Sequence, residues 1–232
     1  MPVKFGKYQI VISKIQSKYP LAPANYDLFV LHKSVDRLAE ILENNNKWVL
    51  SGGLSIPLSL GINFYRKHRD IDIGLPREAL PEILGEAEKE GYALFSRLAM
   101  AKISPTRKID LYKQVSAEEA VESYKSASPD DVDRGMKNIR LVMTDVEGKI
   151  ISSGDILDYF DIYMHDIKNG QMVSLEERML MSEHLSRGKP YVTMSGKQIM
   201  LRGLPYIRRI KQRGEEPIDR FDLDIILRRA LQ

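Results

Sequence analysis

Hydrophobic and polar residues follow two different periods along this chain, which predicts helices in some segments and strands in others. Between residues 31 and 42, apolar side chains recur every three or four positions, and this spacing predicts an amphipathic helix that stops at the asparagines 44–46. Between residues 70 and 75 the period is two, as in a strand with one buried face. Asp70 and Asp72 then lie together on the other face.

A pair of glycines separates a short buried strand from a short helix. Residues 48–50 form an apolar run bounded by Asn and Gly, which predicts the strand. After Gly52 and Gly53, residues 54–60 predict a helix with Pro57 in its first turn, where proline is tolerated.

The rest of the chain predicts helices and strands in irregular order. Further helices are predicted at 77–90, 176–185, 204–213 and 219–231, and residues 116–137 are predicted to form a helix and an exposed loop. Three hairpins are predicted, with strands at 94–103 and 108–113, at 139–144 and 149–152, and at 191–193 and 198–201. Residues 155–167 fit both a strand and a helix. This mixture indicates an α+β (mixed α/β) fold.

Composition narrows the chemistry that the chain can carry. There is no cysteine and the four histidines are scattered, so thiol chemistry, disulfides and a metal held by Cys or His are not expected. A metal ion would therefore need carboxylate ligands. The net charge of +3, from 35 basic and 32 acidic residues, does not indicate a nucleic-acid partner. No run approaches the roughly 20 apolar residues of a membrane span, and no secretory signal is visible, so we expect a cytoplasmic protein.

Several aspartates stand in segments that otherwise favour apolar residues. Asp70 and Asp72 project side by side, and two adjacent like charges repel each other. A divalent cation relieves that repulsion, and oxygen ligands suit Mg²⁺. Asp110 is isolated on the predicted strand 108–113, and Asp161 has equally apolar neighbours. Carboxylates on neighbouring strands are able to form a two-metal site.

The glycine pair at 52–53 and the basic segment after the short helix both suit a phosphate. Bare backbone at the start of a helix allows close approach of a phosphate, and the helix N-terminus supplies N–H donors. Arg66, Lys67 and Arg69 either help to bind a phosphate or are solvated in a loop. We interpret His68 as structural or exposed.

The order of these features resembles the nucleotidyltransferase superfamily, which includes DNA polymerase beta and the aminoglycoside nucleotidyltransferases. The superfamily pattern is an apolar residue, Gly, then Gly or Ser, a helix, Asp-apolar-Asp or Glu, and a third acid on a later strand. Here it reads Leu50-Ser51-Gly52-Gly53, followed by Asp70-Ile71-Asp72-Ile73. Residues 66–73 resemble the subgroup of small-molecule and toxin-type transferases, and residues 213–224 resemble the closing pattern of that subgroup.

The resemblance implies a nucleotidyltransferase-type mixed sheet flanked by helices and a role for each matching residue. Asp70 and Asp72 would bind Mg²⁺ or Mn²⁺, and Asp110 would complete the metal site and act as, or position, the general base on the acceptor hydroxyl. The NTP would be held by Ser51, Gly52, Gly53 and Arg69. Asp161 is the alternative third acid. Asp110 is preferred because it follows the Asp pair sooner and lies on a clearer strand.

The implied activity is metal-dependent transfer of a nucleoside monophosphate from an NTP to a hydroxyl of an unknown acceptor, with release of pyrophosphate. Two alternatives remain open: a toxin of a toxin–antitoxin or abortive-infection pair, with an antitoxin partner and RNA or protein as acceptor, or a catalytically silent nucleotide-binding module. The transferase core is expected over 1–150, including an N-terminal extension at 1–30. Residues 151–232 are expected to form a mostly helical C-terminal lobe on the acceptor side.

Overall fold

A computed structural model defines the fold over most of the chain. It describes residues 3–5, 8–10, 28–43, 47–66, 68, 70–104, 107–125, 139–143, 159–175, 179–214 and 216–230. The helices are α1 (Leu28–Ile41), α2 (Gly52–Leu60), α3 (Leu80–Lys89), α4 (Ala117–Lys125), α5 (Glu183–Ser186), α6 (Leu204–Arg213) and α7 (Pro217–Ala230), with a 3₁₀ turn at Arg77–Ala79.

The described strands form one twelve-stranded β-sheet. They are β1 (Val3–Phe5), β2 (Tyr8–Ile10), β3 (Val49–Leu50), β4 (Asp70–Pro76), β5 (Tyr92–Ser104), β6 (Arg107–Val115), β7 (Ile139–Met143), β8 (Tyr159–Lys168), β9 (Gln171–Ser174), β10 (Leu180–Ser182), β11 (Arg187–Val192) and β12 (Gln198–Arg202). Helices and strands thus alternate irregularly, and the predicted α+β class is confirmed.

The sheet brings late strands next to early ones. Its order is β1-β2-β6-β5-β7-β8-β4-β3-β12-β11, and β9 pairs with both β8 and β10. Strand β4 runs parallel to β8 and antiparallel to β3, whereas β12 runs parallel to β3. The aspartate-bearing strand β4 is therefore central, with β8 on one side and β3 on the other.

The buried apolar residues form two clusters, and α2 packs between them. The larger cluster joins α1, α3 and α4 to the sheet and includes Leu54 of α2 together with Ile71 and Ile73 of β4. The smaller cluster includes Ile56 of α2, methionines from β9 and β10, and side chains of α6 and α7. Because α2 buries side chains in both clusters, its position relative to β4 is fixed from two sides.

One predicted helix begins earlier in the structure, and the segment with two possible assignments is a strand. Helix α2 starts at Gly52, so the glycine pair forms its first turn and Pro57 lies inside the helix. The segment that fitted both periods is strand β8 from Tyr159 onward. The loop after α4 and the second strand of the middle predicted hairpin lie outside the described residues.

The predicted helix at 176–185 is wrong over residues 180–182 and confirmed over 183–185. Leu180–Ser182 forms strand β10, and only Glu183–Ser186 is helical. The reason is visible in the burial pattern. Met179 and Met181 are buried and Leu180 between them is exposed, which is the period of two that a strand requires.

Segments from both ends of the chain contribute to the same sheet. Strands β7 and β8, on either side of the predicted boundary at 150, are antiparallel neighbours. Strands β1 and β2, from the N-terminal extension, continue the sheet beyond β6. No helix in the described part of the chain is long and apolar enough to cross a membrane.

Candidate active site

The Asp-Ile-Asp-Ile segment has two chemically different faces. Ile71 and Ile73 are completely buried in the larger core cluster, whereas Asp70 and Asp72 are partly exposed on the opposite face of β4. The backbone carbonyl of Asp72 accepts a hydrogen bond from the Ser51 N–H at 2.7 Å. The predicted placement of both carboxylates on one face is therefore confirmed, and the backbone ties this face to the start of α2.

Asp161 lies beside this pair on the neighbouring strand. In the parallel pairing of β4 with β8, Asp72 is the register partner of Asp161, and Asp70 is the partner of Tyr159. Register partners on adjacent strands are about 4.8 Å apart and project to the same face of the sheet. Asp161 is 3% exposed. Three acids on two adjacent strands thus concentrate negative charge at one place on the sheet.

The N-terminus of α2 abuts this acidic face. Gly52 has a φ of 62°, in the left-handed region that favours glycine. A Cβ at Gly52 would lie 1.7 Å from Oδ2 of Asp72, so only glycine allows the backbone to approach the carboxylate this closely. The first N–H groups of a helix have no acceptor within the helix, and its dipole favours negative charge there.

The backbone of Gly53 packs against the buried side chain of Arg66. A Cβ at Gly53 would lie 1.8 Å from Nη2 of Arg66 and 2.9 Å from Cε1 of His68. Nη1 of Arg66 is 3.2 Å from Nδ1 of His68. Burial, together with the positive charges of Arg66 and Lys211, holds the pKa of His68 well below its usual range, so this histidine is neutral. His68 is structural, and Arg66 is buried rather than solvated in a loop.

A known protein family matches the part of the chain that contains β4 and the start of α2. A family model described as aminoglycoside-2''-adenylyltransferase matches residues 31–152, which is more than half of the 232 residues. The chain belongs to this family. The predicted class of enzyme, a nucleotidyltransferase, is thereby confirmed. The matched region contains the glycine pair and both aspartates of β4, but it ends before Asp161.

Two solved structures are also similar to this chain. One is the lincosamide antibiotic adenylyltransferase LnuA with lincomycin bound, at 13% identity and a TM-score of 0.47, covering 85% of this chain and 96% of that chain. The other is ANT(2'')-Ia in complex with adenylyl-2''-tobramycin, at 14% identity and a TM-score of 0.46, covering 87% of this chain and 89% of that chain. A search of curated protein sequences gave no match.

The strand order does not bring Asp110 to the aspartates of β4. Asp110 lies on β6, four positions from β4 in the sheet, and pairs with Met100 of β5. With strands about 4.8 Å apart, that separation is about 19 Å across the sheet alone. The residue of β6 that is level with Asp161 is Gln114, four residues farther along the strand. Of the two candidate third acids, Asp161 is therefore the one whose strand pairs with β4. Arg69 lies outside the described residues.

The acidic face has the donor chemistry of a site for a hard cation. Its side chains end in carboxylate oxygens, which suit Mg²⁺ or Mn²⁺. No group of three His, Cys, Asp or Glu side chains within the described ranges is placed to hold a metal ion by itself. Mg²⁺ commonly binds one or two carboxylates and takes its remaining ligands from water and substrate phosphates. The residues present fit that mode of binding.

The C-terminal helices contribute residues that their sequence pattern did not identify. The basic residues of α6 have the sequence pattern of a solvated helix face, but the Lys211 side chain is only 12% exposed. It contacts Asp222 of α7, which is completely buried and also binds Arg66. The only signal in the sequence was the resemblance of residues 213–224 to a closing pattern, which does not reveal the contact with Arg66.

Gly52→Ala is expected to lower kcat/KM for nucleotidyl transfer by about 100-fold, since a displaced backbone or carboxylate misaligns the reacting groups. The Cβ would overlap Oδ2 of Asp72. Gly61→Ala is a matched control, because Gly61 has a φ of 65° and a Cβ there meets nothing within 4 Å. Both variants share the cost of an alanine in the left-handed region, about 1 kcal/mol. Equal losses of kcat/KM in the two variants would contradict the overlap.

His165 is expected to make the protein less stable in acid. Burial, with help from Arg202 and Arg187, lowers the pKa of His165 to about 3. The unfolded histidine titrates near 6.5, so from about pH 6.5 downward the unfolded state binds a proton that the folded state does not. The free energy of unfolding therefore falls as the pH decreases, by about 2 kcal/mol at pH 5 for this group.

Urea denaturation at pH 7.5 and pH 5.0 measures this effect as a difference between variants. His165→Asn should lose less stability between the two pH values than the wild type. His184→Asn, at an exposed position on α5, should show the wild-type difference. An unchanged pH difference in His165→Asn would show that this histidine is not the origin of the effect.

Proposed function

We propose that this protein transfers a nucleoside monophosphate from an NTP, with ATP as the donor, to a hydroxyl of a small polyhydroxylated acceptor such as an aminoglycoside. Pyrophosphate is the second product. The observation that carries the proposal is the register of Asp72 with Asp161, directly beside the glycine turn that starts α2. The choice of donor and acceptor class rests on the family description. Because ATP is the donor, we place the activity in the cytoplasm.

The acceptor oxygen attacks the α-phosphorus of the NTP in this reaction. The bond from the α-phosphorus to the oxygen that bridges to the β-phosphate breaks, and the electron pair leaves with pyrophosphate. The proton of the acceptor hydroxyl passes to a carboxylate. We assign that role to Asp161, because it is the most buried acid of this face and lies level with Asp72.

Asp70 and Asp72 orient the donor in this proposal, and the first turn of α2 receives its phosphates. When bound, Mg²⁺ or Mn²⁺ neutralises charge on the triphosphate and on the phosphorus under attack. Asp70 and Asp72 would hold that cation, and its remaining ligands would be water and phosphate oxygens. The first N–H groups of α2, which have no acceptor within the helix, donate to phosphate oxygens in this proposal. Residues after 150 supply Asp161 and, in this proposal, the acceptor side.

Pyrophosphate release by the purified protein tests the proposal. ATP, GTP, CTP and UTP are each supplied with Mg²⁺ and a panel of aminoglycosides, and the adenylylated product is identified by mass spectrometry. Release that needs both ATP and an aminoglycoside supports the proposal. Labelling of RNA or of a co-expressed protein without aminoglycoside transfer indicates the toxin activity instead. Nucleotide binding without any pyrophosphate release indicates a silent module.

A further inference from the structure

Asp222 holds Arg66 in a fully buried bidentate ion pair. Nε and Nη2 of Arg66 donate to the two carboxylate oxygens of Asp222 at 2.9 and 3.0 Å. The side chains are 7% and 0% exposed. Bidentate geometry fixes the plane of the guanidinium as well as its distance from the carboxylate. The pair joins α7 to the segment that precedes β4, across 156 residues of sequence.

Further contacts lock this carboxylate in place. Nζ of Lys211 lies 3.0 Å from Oδ2 of Asp222 and 2.8 Å from Oδ1 of Asp219. The hydroxyl of Tyr65 donates to Oδ1 of Asp222 at 3.0 Å. Burial by itself would raise the pKa of Asp222. The hydrogen bonds and positive charges of Arg66 and Lys211 outweigh this effect, so the pKa is lowered and the carboxylate stays charged. Asp222 cannot rotate without breaking several bonds at once.

The other side of Arg66 forms the support of the glycine turn. Nη2 of Arg66 lies only 1.8 Å from the position that a Cβ of Gly53 would occupy. The guanidinium therefore packs directly against the backbone of the first turn of α2. The two cations Arg66 and Lys211 are balanced by Asp219 and Asp222, so the cluster carries no net charge. This cluster therefore affects a bound triphosphate by fixing the position of the α2 backbone, and not by adding positive charge near the phosphates.

We propose that Asp222 is a positioning residue for the nucleotide: it holds Arg66 against Gly53 and so orders the first turn of α2 for phosphate binding. This inference rests on the proposed function, because it assigns the phosphates to that turn. The ion pair is too deeply buried to bind substrate itself. Its effect passes through the backbone at Gly53.

Three variants separate positioning from folding. Asp222→Asn keeps the shape but removes the negative charge that the two bonds from Arg66 meet. The double variant Arg66→Met/Asp222→Leu replaces the pair with apolar groups, which often restores stability lost on breaking a buried pair. Asp166→Asn is the control, because it breaks another bidentate pair, with Nε and Nη2 of Arg77 at 2.9 and 2.7 Å. Asp166 is five residues from Asp161 along β8, about 16 Å away.

Two readouts decide the inference: the Kd for MgATP by calorimetry, and amide hydrogen exchange over residues 52–56. Asp222→Asn and the double variant should bind MgATP at least tenfold more weakly and exchange faster in that segment, even where the double variant is as stable as the wild type. Asp166→Asn should stay within twofold of the wild-type Kd. A double variant that regains wild-type affinity along with its stability overturns the inference, as does unchanged exchange over 52–56 in Asp222→Asn.

The same measurements separate failure of the proposed function from failure of this inference about Asp222. If the wild type neither binds MgATP nor releases pyrophosphate, the proposed function fails, and the nucleotide part of this inference fails with it. If the wild type transfers nucleotide normally and Asp222→Asn binds MgATP as the wild type does, only the inference fails. The exchange measurement does not depend on either result, since it reports the order of the turn directly.

Discussion

Asp72→Asn is expected to abolish nucleotidyl transfer, with a loss in kcat/KM of about 1,000-fold or more, equivalent to about 4 kcal/mol of transition-state stabilisation. The amide has nearly the volume of the carboxylate but only one oxygen and no charge, so it is a poor ligand for Mg²⁺. Asp70→Asn should have the same effect. Steady-state pyrophosphate release at saturating Mg²⁺ and acceptor measures both variants.

The fold should survive these substitutions. Asp70, Asp72 and Asp161 crowd negative charge onto one face of two adjacent strands. Neutralising one of them reduces the repulsion, so the melting temperature without metal should be unchanged or higher than that of the wild type. Asp224→Asn, on the partly exposed surface of α7, is a suitable control that should keep full activity. Full transfer by both Asp70→Asn and Asp72→Asn would refute the proposed role of this face.

The local part of the site could be predicted from sequence because it depends on local spacing. The alternation at 70–73 requires only that a strand have one buried face, and the structure buries Ile71 and Ile73 there. The glycine pair at 52–53 is identified in the same way. Its first-turn position was missed, because the prediction began the helix at the first apolar residue.

The order of strands could not be predicted from spacing. The choice between Asp110 and Asp161 used distance along the chain, whereas β8 pairs with β4 over 89 residues of separation, from Asp72 to Asp161. A parallel partner requires a long connection, so the neighbour of β4 in the sheet is not its neighbour in sequence. Sequence proximity favoured Asp110, whose strand β6 is four positions from β4 in the sheet.

The buried ion pairs were missed for a related reason. Lys211 is surrounded in sequence by other basic residues, which is typical of a solvated helix face. Its burial is tolerated only because Asp219 and Asp222 approach it from α7. Arg66 likewise needs Asp222. A charge pattern on one element does not reveal the compensating charges on another.

Asp161→Asn is expected to reduce transfer by about 1,000-fold, whereas Asp110→Asn should stay within about threefold of the wild type. The physical reason is distance: Asp161 is the register partner of Asp72, and Asp110 is four strands from β4. If Asp161 accepts the proton of the acceptor hydroxyl, its loss should lower kcat while the Kd for MgATP changes little. A loss of metal binding would instead raise that Kd.

The pair of variants is matched, since each removes one carboxylate from a strand of the same sheet and adds nothing bulky. Activity is compared at pH 7.5 with ATP and acceptor saturating, and folding is checked by the melting temperature of each variant. An inactive Asp110→Asn together with an active Asp161→Asn would return the third acid to β6. That outcome would require β6 to approach β4 other than through the sheet, because four strand spacings of about 4.8 Å exceed the reach of any two carboxylates on one metal pair.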